Sequence, residues 1–346
     1  MKLPAELKIA FFDTKPYDRE SFEQQNHGFG FRLKFFPSHL TEETVPLCQG
    51  YDAVCVFVND RVTRGIVDAL VSLNVPLLAL RSAGYNNVDL QAADHRLKIT
   101  RVPSYSPHGV AEHAVALMLT LNRKTHRAYY RTRDNNFSLQ GLVGFDMYGK
   151  TAGIVGVGQI GRIVCEILKG FGMTVIAHDP FASKEWAAEK GVKLVDLEAL
   201  YARSDIISLH CPLTPQNTHM IHRGTIERMK PGVMIINTGR GKLIKSEDLI
   251  EALRDEKVGS AGLDVYEEEA DYFFEDYSSH IMKDDVLARL ISFPNVLVTS
   301  HQAFFTEEAL TNIATTTLEN IRSFFYDGRV LNEVCANPGQ DGRCQD

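Results

Sequence analysis

The stretch GIVGVGQIGRIVCEILKGFGMTVIAHDP, residues 153–180, contains Gly156, Gly158 and Gly161 in the spacing G-x-G-x-x-G. A β-branched strand precedes the glycines, and a second predicted strand ends at Asp179, 18 residues beyond the last glycine. An acidic residue about 20 positions after such a turn is typical of a dinucleotide-binding βαβ unit. The stretch therefore predicts a Rossmann-type domain, and the alternative is a glycine-rich βα turn that holds no ligand.

Each part of this motif has a physical role. Gly156 permits the tight turn, Gly158 lets the backbone approach a pyrophosphate, and Gly161 lets helix and strand pack closely. The following helix would offer its N-terminal N–H groups to the phosphates. Asp179 would accept hydrogen bonds from ribose hydroxyls and repel a 2′-phosphate, which favours NAD over NADP. The helix is predicted from apolar residues at helical spacing, namely Ile160, Ile163, Val164, Ile167, Leu168 and Phe171.

Short apolar runs alternate with helical patterns on both sides of this stretch. The N-terminal runs predicted as strands are 8–13, 32–37, 53–58, 76–82 and 98–103. The later ones are 151–158, 174–180, 205–212, 232–239, 259–266 and 295–302. Between the two series, residues 106–129 predict one long helix that begins at Ser106 and Pro107. Strands that alternate with helices indicate parallel, doubly wound sheets, so the fold class is α/β with two such domains.

Composition narrows the classes of partner. The 346 residues carry a formal net charge of −7 and no long run of Lys or Arg, so nucleic acid is not expected as a partner. No stretch has the roughly 18–20 consecutive apolar residues of a membrane span, and no secretory signal is recognised. Four of the six scattered cysteines have apolar neighbours, which is typical of reduced core thiols. These features predict a cytoplasmic protein.

Candidate chemical groups follow the later strands, because ligands bind at the carboxyl ends of strands in doubly wound sheets. Arg240 stands between two glycines and suits a bidentate carboxylate contact, although a surface turn would look the same. Asp264 and His301 end two later strands, and a lone histidine is more often structural. The remaining histidines considered are interpreted as structural or peripheral: His108, His113, His210, His219 and His222. No metal site is predicted, since no carboxylate or cysteine completes a ligand set around the last two.

The motifs GVGQIG, NTGRG, GLDVYEEE and SHQAF, in this order, resemble the D-2-hydroxyacid dehydrogenase family over essentially the whole chain. The segments 80–90, 102–115, 122–142, 205–221 and 268–290 are most similar to the bacterial fermentative D-lactate dehydrogenase branch. The resemblance implies that Arg240, Glu269 and His301 are the catalytic residues. Glu269 stands five positions after Asp264, which by count excludes Glu267 and Glu268.

The resemblance also implies further contacts. On the cofactor side it points to Gly156, Gly158, Gln159, Ile160, Gly161, Asp179, Cys211, Pro212, Asn217, Thr238, Gly239, Arg240, Asp264 and His301. On the substrate side it points to Ala83, Gly84, Tyr105, Arg240, His301 and Phe304. The cofactor implied is NAD. The segment AADHRLKITRV departs from the family pattern, being one residue shorter and lacking its glycine, which affects the local turn.

The family fold implies a Rossmann NAD domain, 104–300, inserted into a discontinuous flavodoxin-like substrate domain, 1–103 plus 301–346, with the active site in the cleft. The activity implied is reduction of pyruvate to D-lactate by NADH, with His301 as proton donor and Glu269 favouring its imidazolium form. Two alternatives stay open: a dehydrogenase for larger 2-keto acids such as phenylpyruvate or 2-ketoisocaproate, and an NAD-sensing scaffold similar to a co-repressor. Helix 106–129 and the loop 135–145 resemble family dimerisation elements, so a homo-oligomer, either dimer or tetramer, is expected.

Overall fold

The chain folds as two compact units. The computed structural model describes residues 6–268, 272–274, 276–337 and 344. The first unit takes its described residues from Met1–Ser106 and Phe305–Asp346, and the second comprises those of Pro107–Phe304. The boundaries predicted from the sequence lie a few residues earlier, after 103 and after 300. As a result, His301 and Phe304 lie in the second unit rather than with the first.

The first unit is built on a parallel sheet. Its N-terminal elements are β1 (Lys8–Phe11), α1 (Pro16–Asn26), β2 (Arg32–Phe35), β3 (Ala53–Val56), α2 (Arg64–Ser72), β4 (Leu77–Leu80), α3 (Leu90–Ala93) and β5 (Lys98–Thr100). The strand order is β2-β1-β3-β4-β5, with every pairing parallel. All five predicted strands are present, and the order is the flavodoxin-like one. The central strands β3 and β4 are buried along their whole length, as expected when helices cover both faces.

The second unit contains a longer parallel sheet. Its elements are α4 (Pro107–Arg123), α5 (Thr125–Arg133), β6 (Thr151–Val155), α6 (Gln159–Gly170), β7 (Thr174–His178), α7 (Lys184–Glu189), β8 (Lys193–Leu194), α8 (Leu197–Arg203), β9 (Ile206–Leu209), α9 (Arg223–Ile226), β10 (Val233–Asn237), α10 (Ser246–Arg254), β11 (Val258–Leu263), α11 (Asp285–Ser292) and β12 (Val296–Val298). The strand order β12-β11-β10-β9-β6-β7-β8 contains the Rossmann arrangement. The six predicted strands are confirmed; β8 is too short to leave a pattern in the sequence. The chain then returns to the first unit as α12 (Glu307–Arg322), which continues into a π-helical turn, Ser323–Asp327.

Two apolar clusters cover opposite faces of the second sheet. Along β10, Ile235 packs in one cluster while Met234 and Ile236 pack in the other, since neighbouring strand residues face opposite ways. Residues of α4 and α6 complete one cluster, and residues of α8 and α10 complete the other. Burial of each large aliphatic side chain stabilises the fold by about 1.5–3 kcal/mol. Both faces are therefore closed, and only the strand ends remain for a ligand.

Two helix predictions need correction. The long helix 106–129 is interrupted at Lys124, whose backbone is left-handed with φ 52°, so α4 and α5 are separate. Asn122, in the last turn of α4, exchanges hydrogen bonds with the backbone of Phe145 at 2.8 Å in each direction, which directs the chain away. In α6 the apolar face ends earlier than predicted, because Phe171 caps the helix and is 39% exposed.

Two other local features bear on the sequence predictions. Cys48, Cys55 and Cys165 are buried free thiols and Cys211 is a half-buried one, whereas Cys335 and Cys344 form a disulfide that the sequence did not predict. In the segment AADHRLKITRV, His95 takes a left-handed backbone with φ 54° after α3. A residue with a side chain bears a steric cost in that conformation.

Candidate active site

The glycine turn after β6 has the geometry that the motif predicts. Gly156 has φ 89°, and a Cβ there would meet the backbone of His210 and Cys211 at 2.7–2.8 Å. A Cβ on Gly161 would lie 2.0 Å from the carbonyl oxygen of Gly156, whereas one on Gly158 would have nothing within 4 Å. Two glycines are therefore required by packing, and the third leaves an open face at the N-terminus of α6. That open face, beside oriented N–H groups, fits a pyrophosphate.

Asp179 lies where the motif requires it, directly after β7. Its Oδ2 accepts a hydrogen bond from the backbone N–H of Val157 in the glycine turn at 2.9 Å, and its Oδ1 accepts one from Phe181 at 2.8 Å. These bonds aim the carboxylate along the same edge as the turn. Each oxygen keeps a lone pair, so hydrogen bonds from ribose hydroxyls remain possible. Gln159 and Ile160 are the first two residues of α6.

Three further predicted cofactor residues are held together in the loop after β9. The Asn217 side chain donates to the carbonyl oxygen of Pro212 at 2.7 Å, lies 3.8 Å from the Cys211 sulfur and accepts from Thr214 N–H at 2.7 Å. Burial raises the pKa of the Cys211 thiol to about 11, so it stays protonated and behaves as a small apolar group. Asn217 therefore shapes the loop that presents Cys211 and Pro212.

The Arg240 turn is organised by Asn237, which the sequence analysis did not single out. Asn237 is the last residue of β10 and has no exposed surface. Its Oδ1 accepts from Gly239 N–H at 3.0 Å, and its Nδ2 donates to the Arg240 carbonyl at 2.9 Å. Thr238 is buried within the same turn. The sequence feature that could have identified Asn237 is its position as an amide directly after four apolar strand residues.

The second glycine of the TGRG motif is required for a different reason. A Cβ on Gly241 would lie 2.0 Å from the carbonyl oxygen of Tyr266 and 2.6 Å from the Glu267 nitrogen. The backbone after β11 thus passes directly against the Arg240 turn. Glu267 reinforces the contact, because its carboxylate accepts from Ser246 N–H at 2.8 Å and lies 2.6 Å from His219 Nε2. Glu269 itself lies outside the described residues.

Asp264 holds the turn that carries His301. The Asp264 side chain is fully buried, and it accepts hydrogen bonds from the Thr299 hydroxyl at 2.6 Å and from the N–H groups of Gln302 and Ala303 at 2.9 Å each. Its carbonyl oxygen accepts from His301 N–H at 2.8 Å. Its own N–H donates to the Asn237 carbonyl at 2.9 Å, which joins this turn to the Arg240 turn.

His301 has a left-handed backbone with φ 52°, uncommon for a residue other than glycine. Its ring centroid lies 5.9 Å from that of Phe274. Because β10, β11 and β12 are parallel neighbours, the Arg240, Asp264 and His301 segments all leave the sheet at one edge. The structure therefore brings these three predicted residues to one side of the second unit.

His113 was interpreted as structural or peripheral, and the structure shows that it contacts the strand ends that carry Asp264 and His301. It lies on α4, and its Nε2 is 3.1 Å from the Thr299 hydroxyl and 3.4 Å from Asp264 Oδ1. The sequence placed His113 on a helix far from His301 in the chain, so no spacing could reveal the contact. The helix packs against β11, which brings the histidine to the strand end.

The predicted substrate residues fall in both units. Ala83, Gly84 and Tyr105 lie in the first unit, and Phe304 is buried at the end of the second. The turn after β4 is held by Ser82, whose hydroxyl donates to the Gly84 carbonyl at 2.8 Å, and by Arg101, which donates to the Ala83 carbonyl at 2.8 Å. The Tyr105 carbonyl accepts from the Asn312 amide at 2.7 Å.

The described part of the chain lacks the features of two other classes of protein, those that bind metal ions and those that span membranes. Among those residues, no cluster of three or more His, Cys, Asp or Glu side chains could hold a metal ion. The helices among them are also too short or too polar to cross a bilayer.

Comparisons with known proteins identify the family. Residues 115–303 match the family model of the D-isomer specific 2-hydroxyacid dehydrogenase NAD-binding domain. The D-lactate dehydrogenase of Escherichia coli strain K12 is 55% identical over 329 residues, which cover 95% of this chain and all of the relative. The apo structure of D-lactate dehydrogenase from Escherichia coli has a TM-score of 0.88 at 51% identity, covering 95% of this chain and 100% of that one. The pyruvate reductase of Chlamydomonas reinhardtii has a TM-score of 0.90 at 42% identity, covering 95% and 99%.

The family model covers more than half of the chain, and each of the three relatives matches 95% of the chain. The predicted fold class of two doubly wound parallel sheets is confirmed by the strand orders and by these structures. NAD as cofactor is likewise supported by the matched domain and by the fit of the glycine turn. The chain belongs to the D-2-hydroxyacid dehydrogenase family and is an NAD-dependent oxidoreductase.

Proposed function

We propose that the chain reduces pyruvate to D-lactate with NADH, with Arg240 binding the substrate carboxylate and His301 donating the proton. The observation that carries this proposal is the shared anchoring of the two turns. Asn237 holds the Arg240 turn, Asp264 holds the His301 turn, and a 2.9 Å backbone hydrogen bond joins the two anchors. A cation and a proton donor on one edge of the NAD domain are what reduction of a 2-keto acid needs.

Arg240 is suited to the anionic end of the substrate. Its guanidinium donates one hydrogen bond to the Gly239 carbonyl at 2.7 Å, which leaves most of its five N–H donors for other partners. A carboxylate can accept two of them in parallel, which fixes both position and orientation.

His301 is the proposed acid in reduction and the base in the reverse reaction. Bound NADH would supply the hydride that reduces the carbonyl carbon. The imidazolium would give its proton to the carbonyl oxygen as negative charge develops there. We propose that ionised Glu269 favours this imidazolium, since an unperturbed histidine is mostly neutral at pH 7.

Pyruvate is proposed because two of the most similar proteins are named a D-lactate dehydrogenase and a pyruvate reductase. Substrate walls would come from Tyr105 and Phe304, and carboxylate contacts from the N–H groups of Ala83 and Gly84. Discrimination per methylene is only about 1–3 kcal/mol, so larger 2-keto acids are the relevant competitors.

NADH oxidation by the purified protein tests the activity and its alternatives together. We expect the highest kcat/KM with pyruvate, lower values with 2-ketoisocaproate and phenylpyruvate, and D-lactate as the product by chiral chromatography. A higher kcat/KM with a larger keto acid would replace pyruvate as the substrate. NADH binding without turnover of any of the three would favour the scaffold alternative.

Three single substitutions test the assigned roles. Arg240→Gln should raise KM for pyruvate with little change in the Kd of NADH, and His301→Gln should abolish most of kcat. Glu269→Gln should move the optimum for pyruvate reduction to lower pH, because the imidazolium would need more acid to form. An unchanged pH profile in this last variant would remove Glu269 from the mechanism.

We also propose that the chain forms a homo-oligomer through the arm made of α5 and residues 134–148. Side chains of this arm that are more than half exposed are Tyr129, Tyr130, Phe137, Leu139, Val143 and Tyr148. Large exposed apolar side chains concentrated in one segment are typical of a protein interface, and a second copy is the partner that the family resemblance indicates. Leu139→Lys should shift the mass in analytical ultracentrifugation toward the monomer, whereas Ile281→Lys, at an equally exposed site outside the arm, should not.

A cytoplasmic location is proposed from the four reduced cysteines. The Cys335–Cys344 disulfide argues against this location, because cytosolic thiols are normally kept reduced, and the state of these two cysteines in the cell therefore tests the proposal. Thiol labelling of protein quenched directly from cells should find these two cysteines reduced. Finding them oxidised would argue for an oxidising compartment.

A further inference from the structure

His113 lies in the segment 102–115 of the family resemblance, but the resemblance assigned no chemical role to this histidine. The histidine lies on α4, and its ring is half-buried, with 18% of the side chain exposed. Nε2 approaches the Thr299 hydroxyl at 3.1 Å and Asp264 Oδ1 at 3.4 Å. Both partners belong to the segments that lead to His301.

The direction of these hydrogen bonds follows from the donor inventory. An ionised carboxylate can only accept hydrogen bonds. In the 2.6 Å contact the Thr299 hydroxyl must therefore donate its one hydrogen bond to Asp264. The Thr299 oxygen can then only accept from the ring, and His113 must therefore carry a proton on Nε2. The chain His113 to Thr299 to Asp264 is thus a directed relay of hydrogen bonds rather than a set of interchangeable contacts.

Asp264 is the group that needs this support. It is completely buried, and a buried carboxylate is costly unless donors surround it. Its oxygens receive Gln302 N–H, Ala303 N–H and the Thr299 hydroxyl, and each bond also fixes the loop. Without the His113 donor, the Thr299 hydroxyl could turn toward other acceptors and Asp264 would lose one of its three partners.

The turn that Asp264 holds is strained. His301 occupies the left-handed region at φ 52°, which costs a side-chain-bearing residue about 1–2 kcal/mol. Such a conformation persists only where surrounding contacts over-determine it. Gln302 and Ala303 come directly after His301 in the chain, and their hydrogen bonds to Asp264 hold the backbone of this turn in place.

We propose that His113 is a positioning residue for His301: through Thr299 it orients Asp264, which holds the left-handed turn in the geometry for proton transfer. The proposal rests on the proposed function, in which His301 is the proton donor. His113 itself touches neither substrate nor the reacting atoms in this scheme. Its loss should therefore reduce kcat while leaving substrate and cofactor affinity largely intact.

The test compares His113→Leu with His108→Leu, an exposed histidine on the same helix. His113→Leu should lower kcat for pyruvate by about 10- to 100-fold, the scale expected when a reacting group is displaced by a fraction of an ångström to one ångström. KM for pyruvate and the Kd of NADH should change less than about threefold, and His108→Leu should match the wild type. His113→Gln, whose amide can still donate, should recover much of kcat.

A second pair of variants keeps the test decisive if His113→Leu does not fold. Thr299→Val removes the hydroxyl at nearly constant shape, and Thr299→Ser retains it. Only the valine variant should show a decrease in kcat. The double variant with His113→Leu should have a kcat close to that of either single variant, because both residues act through one chain of hydrogen bonds.

The outcomes separate this inference from the proposed function. If the wild type does not reduce 2-keto acids, or if His301→Gln keeps kcat, the proposed function fails. If those results hold but His113→Leu and Thr299→Val keep the wild-type kcat, only the positioning role is overturned. A rise in the NADH Kd with unchanged kcat would also overturn it.

Discussion

The cofactor turn at 156–161 and the turn at 299–303 that carries the proposed proton donor His301 (the proton-donor turn) hold a left-handed residue in different ways. Each follows a parallel strand of one sheet, and each needs a left-handed residue, Gly156 with φ 89° and His301 with φ 52°. In the cofactor turn a residue without a Cβ adopts the conformation freely. In the proton-donor turn a histidine adopts it, and this histidine, His301, is the proposed proton donor.

The two turns differ in how far away in the sequence the residues that determine their conformation lie. The cofactor turn is specified by glycines within six residues of one another. The proton-donor turn is specified by Asp264, which is 35, 38 and 39 residues away from the groups that it binds. A locally specified turn is visible in a sequence, whereas a turn held by distant partners is visible only when the strands have been assembled.

The largest effect is expected from adding one methyl group to the cofactor turn. In Gly161→Ala the Cβ would lie 2.0 Å from the Gly156 oxygen, a backbone atom that cannot move aside. We expect a loss of about 3 kcal/mol or more in the free energy of unfolding and no measurable NADH binding. Thermal unfolding and fluorescence titration with NADH measure both.

Gly158→Ala is the matched control, because nothing lies within 4 Å of the added atom. This variant should unfold at the wild-type temperature, yet its NADH Kd should rise about tenfold or more, since the methyl group would fill the face that the pyrophosphate approaches. Equal stability losses in the two variants would show that packing does not distinguish the two glycines.

The next largest effect is expected at the anchor of the proton-donor turn. Asp264→Ala removes the acceptor of three hydrogen bonds and leaves two buried N–H groups unpaired, each costing about 1–3 kcal/mol. We expect kcat for pyruvate to fall about 100-fold or more, because His301 is no longer held. The kcat of Asp264→Asn, which retains one acceptor oxygen, should lie between those of the wild type and of Asp264→Ala. A normal kcat with weakened NADH binding would instead assign Asp264 to the cofactor alone.

A smaller effect is expected at Asn237, the anchor of the Arg240 turn. Asn237→Asp keeps the acceptor for Gly239 N–H but loses the donor to the Arg240 carbonyl. KM for pyruvate should rise about tenfold, corresponding to about 1.4 kcal/mol, while the Kd of NADH stays the same. Steady-state kinetics measure KM and kcat for pyruvate, and a fluorescence titration measures the Kd of NADH. A larger change in kcat than in KM would mean that Asn237 acts through the Asp264 backbone instead.

The smallest effect concerns pH and the residue behind the cofactor turn. Burial lowers the pKa of His210 to about 4, and its Nε2 lies 2.8 Å from the Ser208 hydroxyl. An unfolded histidine titrates near about 6.5, so between these values the unfolded chain binds a proton that the folded chain does not. Stability should therefore fall as pH drops from about 6.5 toward 4.

Urea unfolding of the wild type and of His210→Gln at about pH 7.5 and about pH 5 isolates this contribution. The stability of the wild type relative to the variant should decrease at the lower pH. A difference that does not depend on pH would mean that His210 exchanges protons equally in both states.

The parts of the fold that could be predicted are those with local causes. Every predicted strand appears, because buried parallel strands are continuous apolar runs bounded by turn residues. The prediction of one long helix over 106–129 was wrong at Lys124, where a left-handed residue separates α4 from α5 and no glycine or proline marks the break in the sequence. Phe171 continued the helical period but lies beyond the helix end.

The candidate site shows the same division. Arg240 stood out as an arginine between glycines, and Asp264 and His301 stood out as polar ends of apolar strands. Asn237 and His113 did not, because a strand-ending amide and a helix histidine are common in proteins. Their roles depend on contacts across 3 residues within a turn and across 186 residues of sequence, respectively. Only the first of these distances is short enough for a local pattern to exist.

The two parallel sheets, the glycine turn with its aspartate, and the polar strand ends could be predicted from the sequence, because each depends on residues that are neighbours in the chain. Tertiary structure alone decided how those strand ends are held. The pairing of β10, β11 and β12 places Asn237, Asp264 and Thr299 side by side, and the packing of α4 brings His113 to them. The physical reason is that a buried carboxylate must collect its donors from wherever the fold supplies them.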